Sequence, residues 1–403
     1  MPSWLTIIGI GEDGTHGLSE AACEALKSAE YIYGGERHLK MVREKLHGEQ
    51  RLWPKPFLNA IDEIKALRNK KVVVLASGDP LFHGVGNSLI EHFSPQEINI
   101  YYQPSSFNLA LQRLGWAKSN VECISLVGKS INTLKKHIQN KQKLIILPPN
   151  AQAFFEILSI FEAQKAHQTK FTILEFLGGE REKISPELSI IEARNYRMGD
   201  LYIIAADCRG ADILAYPLGT ILPDSYFHND GQLTKHNIRA VVLSLLSPHN
   251  YQLLWDIGAG SGSISIEWLR AAPKARAYAI EKDKLRAERI YENANNIGVT
   301  GLSIYNNDAV DIIKDLEKPD AIFIGGGFTD GEIASKCWKA LKIGGRFVAN
   351  GVTLETEAAF QKWIKKHGGE LIKVSISNAK PLGNFHVWRQ ALPVTILVAT
   401  KKE

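Results

Sequence analysis

The sequence predicts an α/β protein built as two consecutive domains, and three observations carry that expectation. The chain has 403 residues, too many for one ordinary core, so two units of about 200 residues are the natural division. Short apolar, β-branched runs alternate with amphipathic stretches along the chain, the pattern of strands separated by helices. The alternation breaks once, in CRGADILAYPLGTILPDSY, Cys208 to Tyr226, where Gly and Pro punctuate a stretch of little periodicity. The expected domains are 1–206 and 226–403, joined by a linker over 207–225.

In the first half the strand candidates are Leu5–Ile8, Tyr31–Tyr33, Val72–Leu75, Ile98–Tyr101, Leu144–Leu147, Phe171–Glu175 and Tyr202–Ala206. Helices fall between them. The first is expected over Ser19–Ala29, with the Ser19 hydroxyl as a cap for the free N–H groups of the first turn. In the second half helical spacing runs over Thr234–Leu246. Strands follow at Leu253–Ile257, Ala277–Ile280, Ser303–Tyr305, Ala321–Ile324 and Arg346–Ala349, with late strands near Glu370–Ser377 and Thr395–Thr400.

Composition narrows the function classes. With 45% hydrophobic and 23% charged residues, the chain has the balance of a globular protein. Cys23, Cys123, Cys208 and Cys337 lie far apart with no CxxC pair, which suits a reducing, cytoplasmic setting and argues against a zinc site. No signal-peptide pattern opens the chain, and no apolar run is long enough for a membrane span. A net charge of +5 favours an acidic ligand, but the lysines are scattered, so nucleic acid is not expected as a partner.

Two glycine loops compete for attention. IIGIGEDG carries Gly9-x-Gly11-x-x-Gly14 after an apolar run, with Glu36 further on, and on paper this is a dinucleotide fingerprint. A dinucleotide loop opens straight into a helix that aims its N-terminus at the pyrophosphate. Here the first good helix start is Ser19, five residues past Gly14, so the fingerprint is read as a decoy. The second loop, in LLWDIGAGSGSISIEWL, is stronger. A strand ends at Asp256, Gly258-Ala259-Gly260-Ser261-Gly262 follows, and a helix begins near Ser263 with Ile264, Ile266 and Leu269 on its apolar positions. Glycines let the backbone approach a ligand, and the helix start offers free N–H groups. No lysine stands in P-loop position, which disfavours a nucleoside triphosphate. The next strand ends in Glu281, whose carboxylate suits ribose hydroxyls, and Asp308 with Ala309 follows the third.

The second set resembles the class I S-adenosylmethionine-dependent methyltransferases, whose fold is Rossmann-like. The resemblance implies that Gly258 to Gly262 meet the methionine end of the cofactor, Glu281 the ribose, and Asp308 and Ala309 the adenine. GQLTKHNIRAVVLSLL, with Thr234 and Arg239, and LKIGGRFVANGVTLETEAAF are similar to the carbon-15 methyltransferases of the cobalamin pathway, in which the threonine touches the cofactor. Read alone, Thr234 is also a plausible helix cap.

In the first half VVVLASGDPLFHG, YYQPSSFNLALQRLGW, ILEFLGGERE, AEYIYGGERHL and IIGIGEDG together resemble the two-lobed tetrapyrrole methylase family, in its carbon-5 precorrin branch. The resemblance implies S-adenosylmethionine folded between two α/β lobes, against Gly9 and Gly11, then Ser77, Gly78, Asp79 and Phe82, then Ser105 and Ser106, then Gly178. Pro104 runs directly into Ser105, where the family often has Pro-Gly-Ile-Ser-Ser. Arg37, His38 and His83 sit near loops expected to face the substrate.

Fused in this order, the halves resemble the bifunctional methylating and decarboxylating enzymes of cobalamin biosynthesis. That implies two molecules of S-adenosylmethionine, one per domain, and a polycarboxylate tetrapyrrole substrate, precorrin-6Y or its cobalt form. It also implies methylation at carbons 5 and 15, loss of the ring C acetate carboxyl, and a homo-oligomer. Lys380, His386 and Arg389, in a late loop, are candidates for substrate contact, with Thr353 and Glu355 beyond strand five. Among them Lys380, His386 and Glu355 are the catalytic candidates. No compact His/Asp/Cys constellation and no metal site is expected. Two other readings stay open: a fused methyltransferase acting on nucleic acid or protein, and a sensor that binds without turnover. Against the first, Gly325-Gly326-Gly327-Phe328 stands where amino-methylating enzymes often carry Asn/Asp-Pro-Pro-Tyr/Phe.

Overall fold

A computed structural model describes residues 3–43, 47–82 and 84–402, so His83 lies outside the described residues. The chain forms two compact units, one of Met1–Ile131 with His137–Leu214, the other of Ala215–Glu403 with the short piece Asn132–Lys136.

The first unit has two sheets. Strands β1 (Leu5–Ile10), β2 (Tyr31–Gly34), β3 (Glu49–Leu52), β4 (Val72–Ser77) and β5 (Ile98–Tyr101) form a parallel sheet in the order β3-β2-β4-β1-β5. Every residue of β1 is buried, as the continuous apolar run LTIIGI requires of a strand covered on both faces. The second sheet contains β6 (Val121–Ser125), β7 (Lys143–Leu147), β8 (Lys170–Glu175), β9 (Lys183–Ile184) and β10 (Tyr202–Asp207), ordered β6-β7-β10-β8-β9. Here only the β6–β7 pair is parallel. The first helix spans Glu20–Lys27, and the Ser19 hydroxyl accepts from Ala22 N–H. Between β1 and that helix lies a short 3₁₀ turn, Gly14–Gly17, so the opening glycines do not lead directly into a helix. Glu36 starts the helix Glu36–Val42 at the surface, paired with Lys40.

The second unit is one seven-stranded sheet. Its strands are β11 (Leu253–Ile257), β12 (Arg276–Ile280), β13 (Leu302–Tyr305), β14 (Ala321–Ile324), β15 (Arg346–Gly351), β16 (Glu370–Val374) and the later β19 (Val394–Thr400). Their order is β13-β12-β11-β14-β15-β19-β16. The first five are mutually parallel, and β19 runs antiparallel to β15 and β16. The strand order reverses between β11 and β14, the topological switch point at which open α/β sheets bind ligands. Between β16 and β19 the chain makes a separate antiparallel pair, β17 (Ser377–Leu382) with β18 (Phe385–Gln390).

Three departures from the sequence expectations have physical causes. Strand β3, EQRL, is a mostly exposed edge strand, so it carries no apolar run. Strand β6, VECIS, has its apolar run interrupted by Glu122 and is only half-buried at its start. The stretch read as a late loop is the β17–β18 hairpin, closed by the two-residue Gly383-Asn384 turn, a recognised hairpin signal.

The segment 207–225 is tied at both ends. Cys208 N–H donates to Gln142 O and Leu214 N–H to Gln164 O, within the first unit. Leu222 is fully buried in a second-unit cluster with Phe227 and Ile266.

Candidate active sites

In the first unit the carboxyl ends of β1 and β4 meet almost without a gap. A Cβ on Gly9 would lie 1.8 Å from Gly78 O and 2.9 Å from Gln103 N, so only glycine fits. Gly78 N–H donates to Ile10 O (2.9 Å) and Gln103 N–H to Gly78 O (3.2 Å), which locks the loop Ser77–Pro80 over β1. Beside it opens a cavity of about 380 Å³. Its walls include Gly11, Ser77, Gly78, Phe82, Ser105 and Ser106 from the first lobe, and Leu174, Leu177 and Tyr202 from the second. Ser105 is buried and caps the helix Ser106–Leu114 by accepting from Asn108 N–H, while Ser106 is its first residue. Gly9, Asp79 and Gly178, expected from the sequence to meet the cofactor, are not among the residues that line this cavity. Asp79 Oδ1 accepts from Leu81 N–H (2.9 Å), folding the Gly-Asp-Pro turn, and Gly178 N–H donates to Glu182 Oε2 (2.6 Å).

One polar cluster interrupts the apolar wall. Arg37 pairs with Glu12, and its Nη2 lies 3.1 Å from His38 Nε2 and 3.3 Å from Ser77 Oγ. Ser77 Oγ is 3.0 Å from the same His38 nitrogen. A permanently charged guanidinium can only donate, so His38 Nε2 accepts and the ring proton sits on Nδ1. Burial, then the Arg37 charge, pushes the His38 pKa down to about 4. A pKa depressed below the free value of 6.5 favours the neutral ring in the fold. That stabilisation is complete above about pH 6.5 and is lost as pH falls through about 4. Nitrogen-15 NMR is therefore expected to find His38 neutral and Nδ1-protonated from pH 5 to 8; a transition in that window would contradict the assignment.

In the second unit the loop after β11 holds Gly258, Gly260 and Gly262 at φ +66°, +60° and +74°, left-handed backbone in which a side chain is strained. Glu281, at the tip of β12, is buried. Its Oε2 accepts from Gly260 N–H (2.9 Å) and its Oε1 from Asp283 N–H (3.0 Å). The same carboxylate thus orders the loop and keeps lone pairs for further donors. Ser261 is buried with no hydrogen bond to its hydroxyl, and Ala259 is half-buried. Asp308 is exposed, accepts from Val310 N–H (3.0 Å) and caps the short helix Ala309–Ile312.

Asp256, at the end of β11, lies beneath the loop. Its Oδ2 accepts from Ser265 N–H (3.1 Å) and Oγ–H (2.6 Å), while Oδ1 has no partner. Burial pushes its carboxyl up to about 6, against the opposing pull of Ser265. A raised folded-state pKa means that protonation favours the fold, fully below about pH 4, and that this is lost as pH rises through about 6. Replacing Asp256 by Asn is expected to remove that dependence. Denaturant unfolding of variant and parent should diverge, by on the order of 2–3 kcal/mol between pH 4 and pH 7; parallel pH profiles would refute this.

Thr234 is not a helix cap: the helix His236–Leu246 starts after Lys235, with no side-chain cap. The Thr234 carbonyl accepts from Arg239 Nη1 (2.6 Å). Arg239 is fully buried and also donates to Asp224 Oδ1 (3.0 Å) and Leu222 O (2.5 Å), with Phe227 stacked beneath its guanidinium. One buried cation thus holds the entry segment against the first helix.

The family models agree with this two-part geometry. A model described as tetrapyrrole (corrin/porphyrin) methylases matches residues 4–188, and one described as a precorrin methyltransferase domain matches residues 225–401. A curated relative from Sinorhizobium sp., named precorrin-6Y C(5,15)-methyltransferase [decarboxylating], is 39% identical over 97% of this chain and 95% of its own length. The chain belongs to the precorrin-6Y C(5,15)-methyltransferase (decarboxylating) family. A relative of the same name from Mycobacterium tuberculosis is 35% identical over 99% of this chain and all of its own length. Among solved structures, the C-terminal domain of the Rhodobacter capsulatus precorrin-6Y C5,15-methyltransferase is 38% identical, covering 45% of this chain and 97% of that one, with a TM-score of 0.43.

For a member of the precorrin-6Y methyltransferase family, the residues present fit S-adenosylmethionine. In the second unit the N–H groups of Gly258, Ala259, Gly260 and Gly262 are already used within the fold, so what the loop offers is an orphaned Ser261 hydroxyl and open space over Gly326 and Gly327, and the first unit has its cavity. The late polar candidates separate into two groups. Glu355 is exposed in the first turn of the helix Leu354–His367, which Thr353 caps just beyond β15. Register pairs Thr395 with Gly351 and Val374 with Val394, so the β17–β18 hairpin leaves the sheet at the same edge as the glycine loops. Cross-strand partners share a face. Lys380 opposite Val387 and Arg389 opposite Asn378 therefore lie on one face, with Leu382 and Phe385, while His386 lies on the other with Pro381, Ala379 and Trp388. His386 and Lys380 cannot address one group together. Sequence reasoning missed Glu12, Asp256 and Asn293, none of which belongs to a local motif.

Proposed function

We propose that the chain is a bifunctional S-adenosylmethionine-dependent methyltransferase of cobalamin biosynthesis. It methylates carbons 5 and 15 of precorrin-6Y, or its cobalt form, and removes the ring C acetate carboxyl as carbon dioxide. The observation that carries this reading is the pair of separately built sites at the carboxyl edges of parallel sheets: the cavity beside the Ser77–Pro80 loop in the first unit, and the Gly258–Gly262 loop tied to Glu281 at the switch point in the second. Each site is assigned one methyl donor: residues 1–206 serve carbon 5, residues 226–403 serve carbon 15 and the decarboxylation, and 207–225 connects them.

A sulfonium methyl is already activated and the ring carbon is electron-rich, so the protein's task is in-line alignment of carbon, methyl and sulfur. The Gly258–Gly262 loop, Glu281 and Thr234 hold one donor in place, with Asp308 and Ala309 beside its adenine. Gly11, Ser77, Gly78, Phe82, Ser105 and Ser106 hold the other, with Gly9, Asp79 and Gly178 outside the cavity lining. In decarboxylation the conjugated ring takes the electron pair. Lys380 and Arg389 are assigned to the remaining side-chain carboxylates, Glu355 to the rim, and His386 to contact from the opposite hairpin face. The His386 role fails if His386→Ala methylates and releases carbon dioxide normally.

The substrate is a polycarboxylate tetrapyrrole rather than nucleic acid. The setting is cytoplasmic, supported by four free cysteines; among the described residues no helix is long and apolar enough to cross a membrane. A homo-oligomer is part of this reading, with Phe385 and Trp388, on opposite faces of the hairpin and 77% and 76% exposed, as the exposed apolar side chains nearest to such an interface, and light scattering tests it. The central experiment is mass spectrometry of the product made from precorrin-6Y, with calorimetric counting of S-adenosylmethionine. Two methyl additions, one carbon dioxide lost and two donors bound per chain are expected. One donor per chain, or a singly methylated product, would defeat the reading.

A further inference from the structure

The helix Lys284–Ile297 touches the glycine loop at two points. Ile290 fills the space where a Gly262 side chain would stand, since a Cβ there would lie 2.6 Å from Ile290 Cγ2. One turn on, Asn293 is fully buried, and its carboxamide makes three hydrogen bonds, one at its oxygen and one from each amide hydrogen. Oδ1 accepts from His228 N–H (2.8 Å), and Nδ2 donates to His228 O (2.9 Å) and to Ser261 O (2.9 Å). This side chain therefore grips both backbone groups of His228 and, with its last hydrogen, the middle of the glycine loop. The gripped segment also runs close to the loop: Gln232 O lies 3.4 Å from where a Gly260 Cβ would be. Its outer edge is fastened to the same helix, with Asp230 Oδ2 2.8 Å from Arg286 Nε and 3.3 Å from Arg289 Nη1.

We propose that Asn293 is a positioning residue for methyl transfer to carbon 15: it sets the spacing between the 228–232 strap and the Ser261 carbonyl, and so the shape of the loop that receives the donor. This rests on the reading of Gly258–Gly262 as a donor loop. A buried amide held by three hydrogen bonds is rigid, and removing its donors leaves two carbonyls unpaired.

Asn293→Asp is nearly isosteric but turns the Nδ2 end into an oxygen facing both carbonyls. In the whole chain it is expected to raise KM for S-adenosylmethionine at carbon 15 about tenfold or more. The kcat at saturating donor should stay within about twofold. KM at carbon 5, in the same molecules, should be unchanged. A purely structural role would lower the active fraction, and so the apparent kcat, and leave KM alone; that result overturns the proposal. Asn293→Ser, which brings no charge, decides the matter if the aspartate does not fold: its KM is expected to rise too, and an unchanged value refutes the role. A parent chain that binds one donor, seated in the first unit, would instead sink the donor-loop reading and this proposal with it.

Discussion

Gly9→Ala is expected to stop methylation at carbon 5 while methylation at carbon 15 and decarboxylation continue. The added methyl would sit 1.8 Å from Gly78 O and 2.9 Å from Gln103 N. Both are backbone atoms, so no rotamer change relieves the clash, and the Ser77–Pro80 loop must lift from β1. Ser77 and Gly78 line the cavity, so the lift moves the surface against which a donor is aligned. A displacement near 1 Å at a reacting centre costs about a hundredfold in rate, and the overpacking costs a further ~1–3 kcal/mol of stability in that unit. Mass spectrometry of the product would show a single methyl gain with carbon dioxide lost. Retained carbon-5 activity, or loss of both activities, would contradict the assignment of one site to one carbon.

Glu281→Gln is expected to act on the other carbon. Both oxygens of Glu281 receive backbone N–H groups, from Gly260 and from Asp283. A glutamine keeps the shape but must point its amide at one of those donors, leaving an N–H facing an N–H. The unpaired group costs about 1–3 kcal/mol, and the loss of a charge-assisted acceptor adds to it. Together these predict a rise of about a hundredfold in KM for S-adenosylmethionine at carbon 15. Carbon-5 kinetics should not change. Initial rates with isotopically labelled donor would separate the two, and an unaltered KM would remove Glu281 from the cofactor set.

The sequence made the sheets legible wherever a strand is buried on both faces, because LTIIGI, VVVLAS and LLWDI can be nothing but interior. It was mute where a strand lies at an edge: EQRL pairs through its backbone alone, and its side chains carry no trace of that. The glycine loops were readable because left-handed backbone and close approach demand one residue type. The decoy at Gly9 to Gly14 has the same origin, since its glycine answers a strand-to-strand contact and not a phosphate. The residues that secure the sites were hidden. In ENANNIG nothing local tells the inward Asn293 from its neighbours, and the pairing of Glu12 with Arg37 spans 25 residues. The separation of His386 from Lys380 follows from strand alternation, which was invisible while the segment was read as a loop.

The hairpin also supplies an optical reporter. Trp388 stands in solvent, whereas Trp255 and Trp268 are sealed in the core and Trp363 nearly so. Its emission should be red-shifted and open to collisional quenching by acrylamide, and the buried indoles should be shielded. Whatever settles on that face, a pigment or a sister polypeptide, would announce itself as a loss of quenchable fluorescence.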